Sequence, residues 1–194
     1  MIKRICIFCG SSTGNKPVYV EAARAVGRLI VEKKLGIVYG GGSVGLMGAL
    51  ADEALAQGGD VIGVIPQALF DKELGHAGLH KLHIVESMHK RKSMMADLAD
   101  AFLALPGGFG TFEELFEIIT WSQLGIHAKP VGLLNVAGYY DPLLEMCDQT
   151  IGEGFVRQED RMRIISHSEP DTLINQLLTA QVPETAKWLR PAQA

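Results

Sequence analysis

The chain has 194 residues and a formal net charge of −4, with 47% hydrophobic and 21% charged residues. That length allows one substantial core and is short for two domains, and the composition is that of an ordinary globular protein. The acidic balance argues against a general nucleic-acid or anionic-membrane binder, and no apolar run approaches the ~20 residues of a membrane-spanning helix.

Apolar runs of strand length alternate with segments of helical period. Ile5 to Phe8 reads as the first strand, so the N-terminus carries no signal-peptide pattern and a cytoplasmic location is expected. A helix is predicted over 17–34, where Val20, Ala23, Val26, Gly27 and Ile30 recur at helical spacing. Ile37 to Tyr39 is a second strand, Gly40 to Gly45 a turn, and 46–57 a second helix. Val61 to Ile65 is a strand stopped by Pro66. The polar stretch 67–80 reads as loop or short helix, and Leu82 to Val85 as another strand. Further helices are predicted over 88–100, 111–124, 142–153 and 171–179, and further strands at 101–105, 131–134 and 164–165. Residues 1–182 form one nucleotide-binding domain on this reading, and 183–194 a polar tail. The alternation predicts an α/β fold, a doubly wound and mainly parallel sheet with helices on both faces. Ligands of such sheets bind at the carboxyl ends of the strands, near a reversal of strand order.

Cys6 and Cys9 have a C-x-x-C spacing, but residues three apart in a strand point to opposite faces. They read as buried small hydrophobes, and an odd count of three cysteines suits a reducing compartment. His76 and His80 are four apart, yet Gly75 and Gly78 argue against the helix that would align them on a metal.

Three glycine-bearing loops follow strands: 10–14, 40–45 and 106–110. Gly40 to Gly45 fits G-x-G-x-x-G, but the acid that would hold a dinucleotide ribose is missing from the far end of the next strand, since Asp60 precedes it. A phosphate turn for a mononucleotide, with Ser12, Gly41 and Gly42 as candidates, or a tight turn for helix packing remains. Pro106 to Gly110 joins a buried strand to a helix, where glycines and a helix N-terminus suit a phosphate. Glu113 and Glu114 are expected in that helix's first turn. Thr111 and Glu114 also fit a capping box, and a carboxylate there is favoured in its ionised form. His89 to Lys92 puts cations at a helix N-terminus, against the dipole, which invites an anionic ligand. The helix over 112–124 is apolar on more than one side, which suggests a two-fold dimer.

Taken together, Met88-His89-Lys90-Arg91-Lys92 and Pro106-Gly107-Gly108-Phe109-Gly110-Thr111-Phe112-Glu113-Glu114 resemble the signature of the Lonely Guy (LOG) family. Its members are cytokinin riboside 5′-monophosphate phosphoribohydrolases, many mislabelled as lysine decarboxylases. The resemblance runs from Ile5 to Ile165 and includes Gly10-Ser11-Ser12, Tyr39 to Gly42, and Thr120 to Gly125. It implies a modified Rossmann fold and a homodimer. It implies hydrolysis of an adenine-type nucleoside 5′-monophosphate to free base and ribose 5-phosphate, with no cofactor or metal. The family's catalytic pair falls on Arg91 and Glu114. Its substrate contacts fall on Glu73, Arg91, Lys92, Gly108, Phe109, Gly110, Thr111, Phe112, Glu113, Glu114 and Thr120. The competing expectation is a nucleotide or molybdenum-cofactor carrier of related fold. A pyridoxal-phosphate decarboxylase is disfavoured because no lysine is convincingly placed for a Schiff base.

Overall fold

The computed structural model describes residues 1–72 and 75–183. In chain order its elements are β1 (Arg4–Phe8), α1 (Pro17–Glu32), β2 (Gly36–Tyr39), α2 (Gly45–Ala56), β3 (Val61–Pro66), α3 (Gln67–Phe70), β4 (Lys81–Val85) and α4 (Met88–Leu98). Then follow β5 (Ala101–Ala104), α5 (Phe109–Gln123), β6 (Val131–Leu134), α6 (Asp141–Gly152), α7 (Gln158–Arg161), β7 (Ile164–His167) and α8 (Pro170–Thr179). The predicted tail lies, from residue 184 on, outside the described residues.

All described strand pairs are parallel, in the order β4-β3-β2-β1-β5-β6-β7. The chain winds outward from β1 to β4, returns to lay β5 against β1, and winds outward the other way. The order therefore reverses between β1 and β5, paired as Ile5↔Ala101 through Phe8↔Ala104. Strands buried on both faces read as unbroken apolar runs, which is why Arg4–Phe8 and Ala101–Ala104 do not alternate with polar residues.

The period of two sorts the side chains between two cores. Ile5, Ile7, Ile37, Tyr39, Ala101 and Leu103 pack against α1, α2 and α8. Cys6, Phe8, Val38, Phe102 and Ala104 pack against α4 and α5. Each large aliphatic side chain fully buried this way contributes about 1.5–3 kcal/mol. Cys6 and Cys9 fall into opposite cores, as their spacing requires. α1 starts with Pro17 in its first turn and buries Ala22, Ala23, Val26, Gly27 and Ile30. A β-carbon on Gly27 would lie 2.7 Å from the Leu50 carbonyl oxygen, so that glycine lets α1 and α2 touch.

Three features differ from the sequence expectation. α5 begins at Phe109, not Thr111. The short helix α7 and a 3-10 turn over Val136–Gly138 fall where none was predicted. The polar stretch after β3, expected as loop or short helix, does open with a short helix, α3, and Gly75 then bridges Gly42 of the loop after β2 in antiparallel fashion. Among the described residues, no helix is long and apolar enough to cross a membrane.

Candidate active site

A cavity of about 370 Å³ opens over the carboxyl ends of the central strands. Three strand-end loops wall it: Cys9 to Ser11 after β1, Gly40, Gly42 and Val44 after β2, and Gly108 to Thr111 after β5. Backbone bonds lock these loops together. Gly10 N–H donates to the Pro106 carbonyl at 3.0 Å, and Leu46 N–H donates to the Gly10 carbonyl at 3.0 Å. Two tyrosines brace the β5–α5 turn from behind: Tyr140 donates its hydroxyl to the Leu105 carbonyl at 2.6 Å, and Tyr139 donates to the Gly107 carbonyl.

α5 has no side-chain cap. Its N-cap is Gly108, and the first intrahelical bond runs from Phe112 N–H to the Gly108 carbonyl at 3.1 Å. The N–H groups of Phe109, Gly110 and Thr111 precede that bond at the cavity wall, where a helix terminus favours an anion. This overturns the capping-box expectation: Thr111 lies inside the helix, and Glu113 and Glu114 fall in its second turn. Phe109 stands at the lip of the cavity with 92% of its surface exposed.

Arg91 and Glu114 meet at the floor. α4 is capped by Ser87, whose hydroxyl oxygen accepts from Lys90 N–H at 3.2 Å. Within the basic run this leaves His89 and Lys90 in solvent and turns Arg91 inward, 9% exposed. Its Nε donates to the Val64 carbonyl at 3.2 Å, and its Nη2 lies 3.3 Å from Glu114 Oε1. Glu114 is 7% exposed. Burial raises its pKa, and the nearby Arg91 charge offsets only part of that, so the carboxyl sits above its ordinary value. A first-turn carboxylate favoured as the anion was expected; a buried second-turn carboxylate is found.

Lys92 turns to the other side of α4. It ion-pairs with Glu113 and with Glu117, the latter at 3.0 Å. Burial disfavours its charge, but the hydrogen bonds to these two carboxylates prevail and hold its pKa above the ordinary value. Lys92, Glu113 and Phe112 are not among the residues lining the cavity, whereas Arg91, Gly108, Phe109, Gly110, Thr111 and Glu114 are. Gly42 lines it too. Gly41 does not, and takes a left-handed backbone with φ 73° against β3. Ser12 belongs to an adjoining cavity of about 240 Å³ that shares Gly10, Ser11 and Gly108 with the first. Thr120 is exposed on the far side of α5, in an apolar groove of about 440 Å³ with Phe116 and Ile119. Glu73 lies outside the described residues.

Sequence reasoning missed Cys9, Met47, Ile65 and Leu69 in the cavity wall. Cys9 had a readable signal, being the residue between the end of β1 and a glycine loop. Burial and the Glu114 charge push its thiol well up, so it stays protonated. His76, weighed as a metal ligand, instead has Nε2 3.1 Å from Asp52 Oδ1, and its Nδ1 accepts from Gly78 N–H.

The fold and this cavity define a Rossmann-like α/β protein with an open helix terminus and a buried arginine–glutamate pair at its switch point. The sequence matches the family model described as "possible lysine decarboxylase" over residues 47–177. It is 53% identical over 176 residues to a cytokinin riboside 5′-monophosphate phosphoribohydrolase of Arabidopsis thaliana, covering 90% of this chain and 81% of that protein. It is 52% identical over 174 residues to a probable cytokinin riboside 5′-monophosphate phosphoribohydrolase of Oryza sativa subsp. japonica, covering 90% of this chain and 78% of that one. The chain belongs to this family, the Lonely Guy family. Among solved structures, the molybdenum cofactor carrier protein of Chlamydomonas reinhardtii superposes with a TM-score of 0.69 at 18% identity, over 93% of this chain and 100% of that one. At that identity the likeness is one of fold.

Proposed function

We propose that this protein hydrolyses the N-glycosidic bond of adenine-type nucleoside 5′-monophosphates, cytokinin riboside 5′-monophosphates among them, releasing free base and ribose 5-phosphate. The observation that carries the reading is the buried Arg91–Glu114 pair, 3.3 Å apart, one helical turn from an uncapped helix N-terminus. The names of the curated relatives support it.

In this reading the 5′-phosphate lies against the N–H groups of Phe109, Gly110 and Thr111, with Ser12, Gly41 and Gly42 in the flanking loops. Cleavage of the bond between C1′ and the base nitrogen builds positive charge on the ribose, as in glycoside hydrolysis. Glu114 is the anion that answers it, by stabilising the charge, activating water or attacking C1′. Water supplies oxygen to C1′ and a proton to the departing base. Arg91 orients the nucleotide and keeps Glu114 available as the carboxylate. Glu73 completes the proposed substrate contacts within one chain; Lys92, Phe112 and Glu113, which the family resemblance implies as contacts, stand beside the cavity and not in its lining, and Thr120 would act across the interface proposed below.

One domain over 1–182 carries this activity in a reducing, cytoplasmic setting that suits its three free cysteines. A second copy covers the groove between α5 and α6, where Phe116 is 40% exposed and Met146 58% exposed, so a substrate contact by Thr120 would cross that interface. Sedimentation should return a dimer; a monomer at micromolar concentration removes that part of the proposal.

The activity is tested with AMP and isopentenyl-AMP, following free base and ribose 5-phosphate by chromatography. Glu114→Gln should lower kcat by about 10³-fold or more while AMP still binds by calorimetry, the loss typical of a transition-state charge partner. Turnover retained in that variant would remove Glu114 from the reaction.

A further inference from the structure

The glycine run after β2 holds an unexpected neighbour. A β-carbon built on Gly40 would lie 2.0 Å from Arg91 Nη2 and 3.0 Å from Arg91 Cζ. Gly40 is not in the left-handed region, so its φ does not itself call for glycine. What requires glycine is therefore the space. The guanidinium rests where a side chain at position 40 would begin.

An arginine tip in solvent would swing away from a new methyl group at little expense. This one is pinned. Its Nε is committed to the Val64 carbonyl at 3.2 Å, its Nη2 faces Glu114 Oε1 at 3.3 Å, and its Nη1 lies 3.8 Å from Met88 Sδ. Ordinary contact with a methyl group would drive Nη2 back by more than roughly 1 Å, beyond what a close-packed interior absorbs in place. The displaced atom is the one that faces the catalytic carboxylate.

The neighbouring glycines meet different constraints. Gly41 has φ 73° and lies against the Leu82 and Ile65 side chains, Gly42 bridges Gly75, and Gly45 and Gly48, in the first turn of α2, abut the Ser11 backbone and the Ser43 carbonyl oxygen. Neither Arg91 nor Glu114 is among the nearest atoms to a β-carbon added at Gly41, Gly45 or Gly48, whereas Arg91 is the nearest at Gly40.

We infer that Gly40 is a positioning residue: its missing side chain is the seat of the Arg91 guanidinium, and it sets the distance between Arg91 and Glu114. The first glycine of this turn thus serves the arginine. The catalytic part of the inference rests on the function proposed for Arg91 and Glu114; the steric part does not.

The test is a four-corner cycle of the full-length parent, Gly40→Ala, Arg91→Ala and the double variant, read by thermal midpoint and by AMP turnover. In the parent background Gly40→Ala should lower both the midpoint and kcat, the latter by about 100-fold, as expected for a group misplaced by about 1 Å. The acid limb of its kcat–pH profile should move to higher pH, because an Arg91 pushed away lowers the Glu114 pKa less. In the Arg91→Ala background the seat is vacant, so Gly40→Ala should leave the midpoint unchanged. An equal drop in both backgrounds overturns the inference, as does undiminished kcat in Gly40→Ala. If Gly40→Ala fails to fold, the double variant must fold, and its failure also overturns the seat. If the parent releases no base from either nucleotide, the functional reading falls, while the midpoint cycle still decides the seat.

Discussion

Two glycine-rich turns leave the same edge of the sheet, one after β2 and one after β5, and they differ at the glycines nearest the cavity. In the β5–α5 turn Gly107 is closed, an added β-carbon lying 2.1 Å from Thr111 Oγ1, but β-carbons added to Gly108 or Gly110, at the cavity wall, would meet no protein atom within 4 Å. After β2 and into the first turn of α2, three added β-carbons collide: with Arg91 at 2.0 Å from Gly40, with the Ser11 backbone at 2.3 Å from Gly45, and with the Ser43 carbonyl oxygen at 2.2 Å from Gly48; at Gly41 the nearest atom is Leu82 Cδ1 at 3.0 Å. A glycine can be required because a ligand must approach the backbone or because the protein already has. The first kind leaves empty space, and the second leaves none. Sequence shows only the glycines.

The comparison breaks most visibly at Gly45. Its φ is 63°, and an added methyl would press on the Ser11 backbone, which has no flexible end to yield. Gly45→Ala should destabilise the protein by about 3 kcal/mol, combining left-handed strain with overpacking. Denaturant unfolding measures it, and a loss below about 1 kcal/mol would mean that the loop after β1 is free to retreat. Gly110→Ala is the counterpart. It sits in the first turn of α5, where alanine is the better helix former, so the melting temperature should hold or rise slightly. Its methyl group occupies ligand space, so KM for AMP should rise by about tenfold, near the cost of one spoiled contact. An unchanged KM would move the phosphate away from α5.

The fold was readable because alternation, strand length and helical period are local properties. Sheet order was not, because it depends on which strands pair across the whole chain, and it is this order that brings Arg91 of α4, Gly40 after β2 and Glu114 of α5 to one place. The Arg91 and Glu114 motifs were legible as a family signature, while the seat at Gly40 was invisible without coordinates. Thr111 misled for a local reason. Thr-x-x-Glu fits a capping box wherever a helix starts at the threonine, but Gly108, with φ −99° and ψ −155°, starts this one earlier. The run 88–92 hid a division of labour set by the helical period: Arg91 faces the cavity, and Lys92 faces Glu113 and Glu117.

The subtlest difference between the turns lies in the carboxylate. Nothing in the β2–α2 turn must change charge, whereas Glu114 is buried behind the β5–α5 turn with its pKa raised, chiefly by burial and against the pull of Arg91. A raised folded-state pKa means that the native protein holds the proton to higher pH than the unfolded chain does. The resulting stability is fully present below the unfolded pKa, about 4.3 for glutamate, and is lost as pH rises through the folded value. Glutamine has nothing to lose over that window. The stability of Glu114→Gln relative to the parent should therefore move in the variant's favour as pH rises from about 4 toward neutrality. Urea unfolding of both proteins at several pH values reads the movement, and constant offsets such as a changed hydrogen bond cancel from its slope. Movement toward the parent would mean that Arg91 outweighs burial and that the pair is a stabilising ion bridge. Movement toward the variant marks a carboxylate held in its charged form at the expense of the fold, as a group kept for chemistry is.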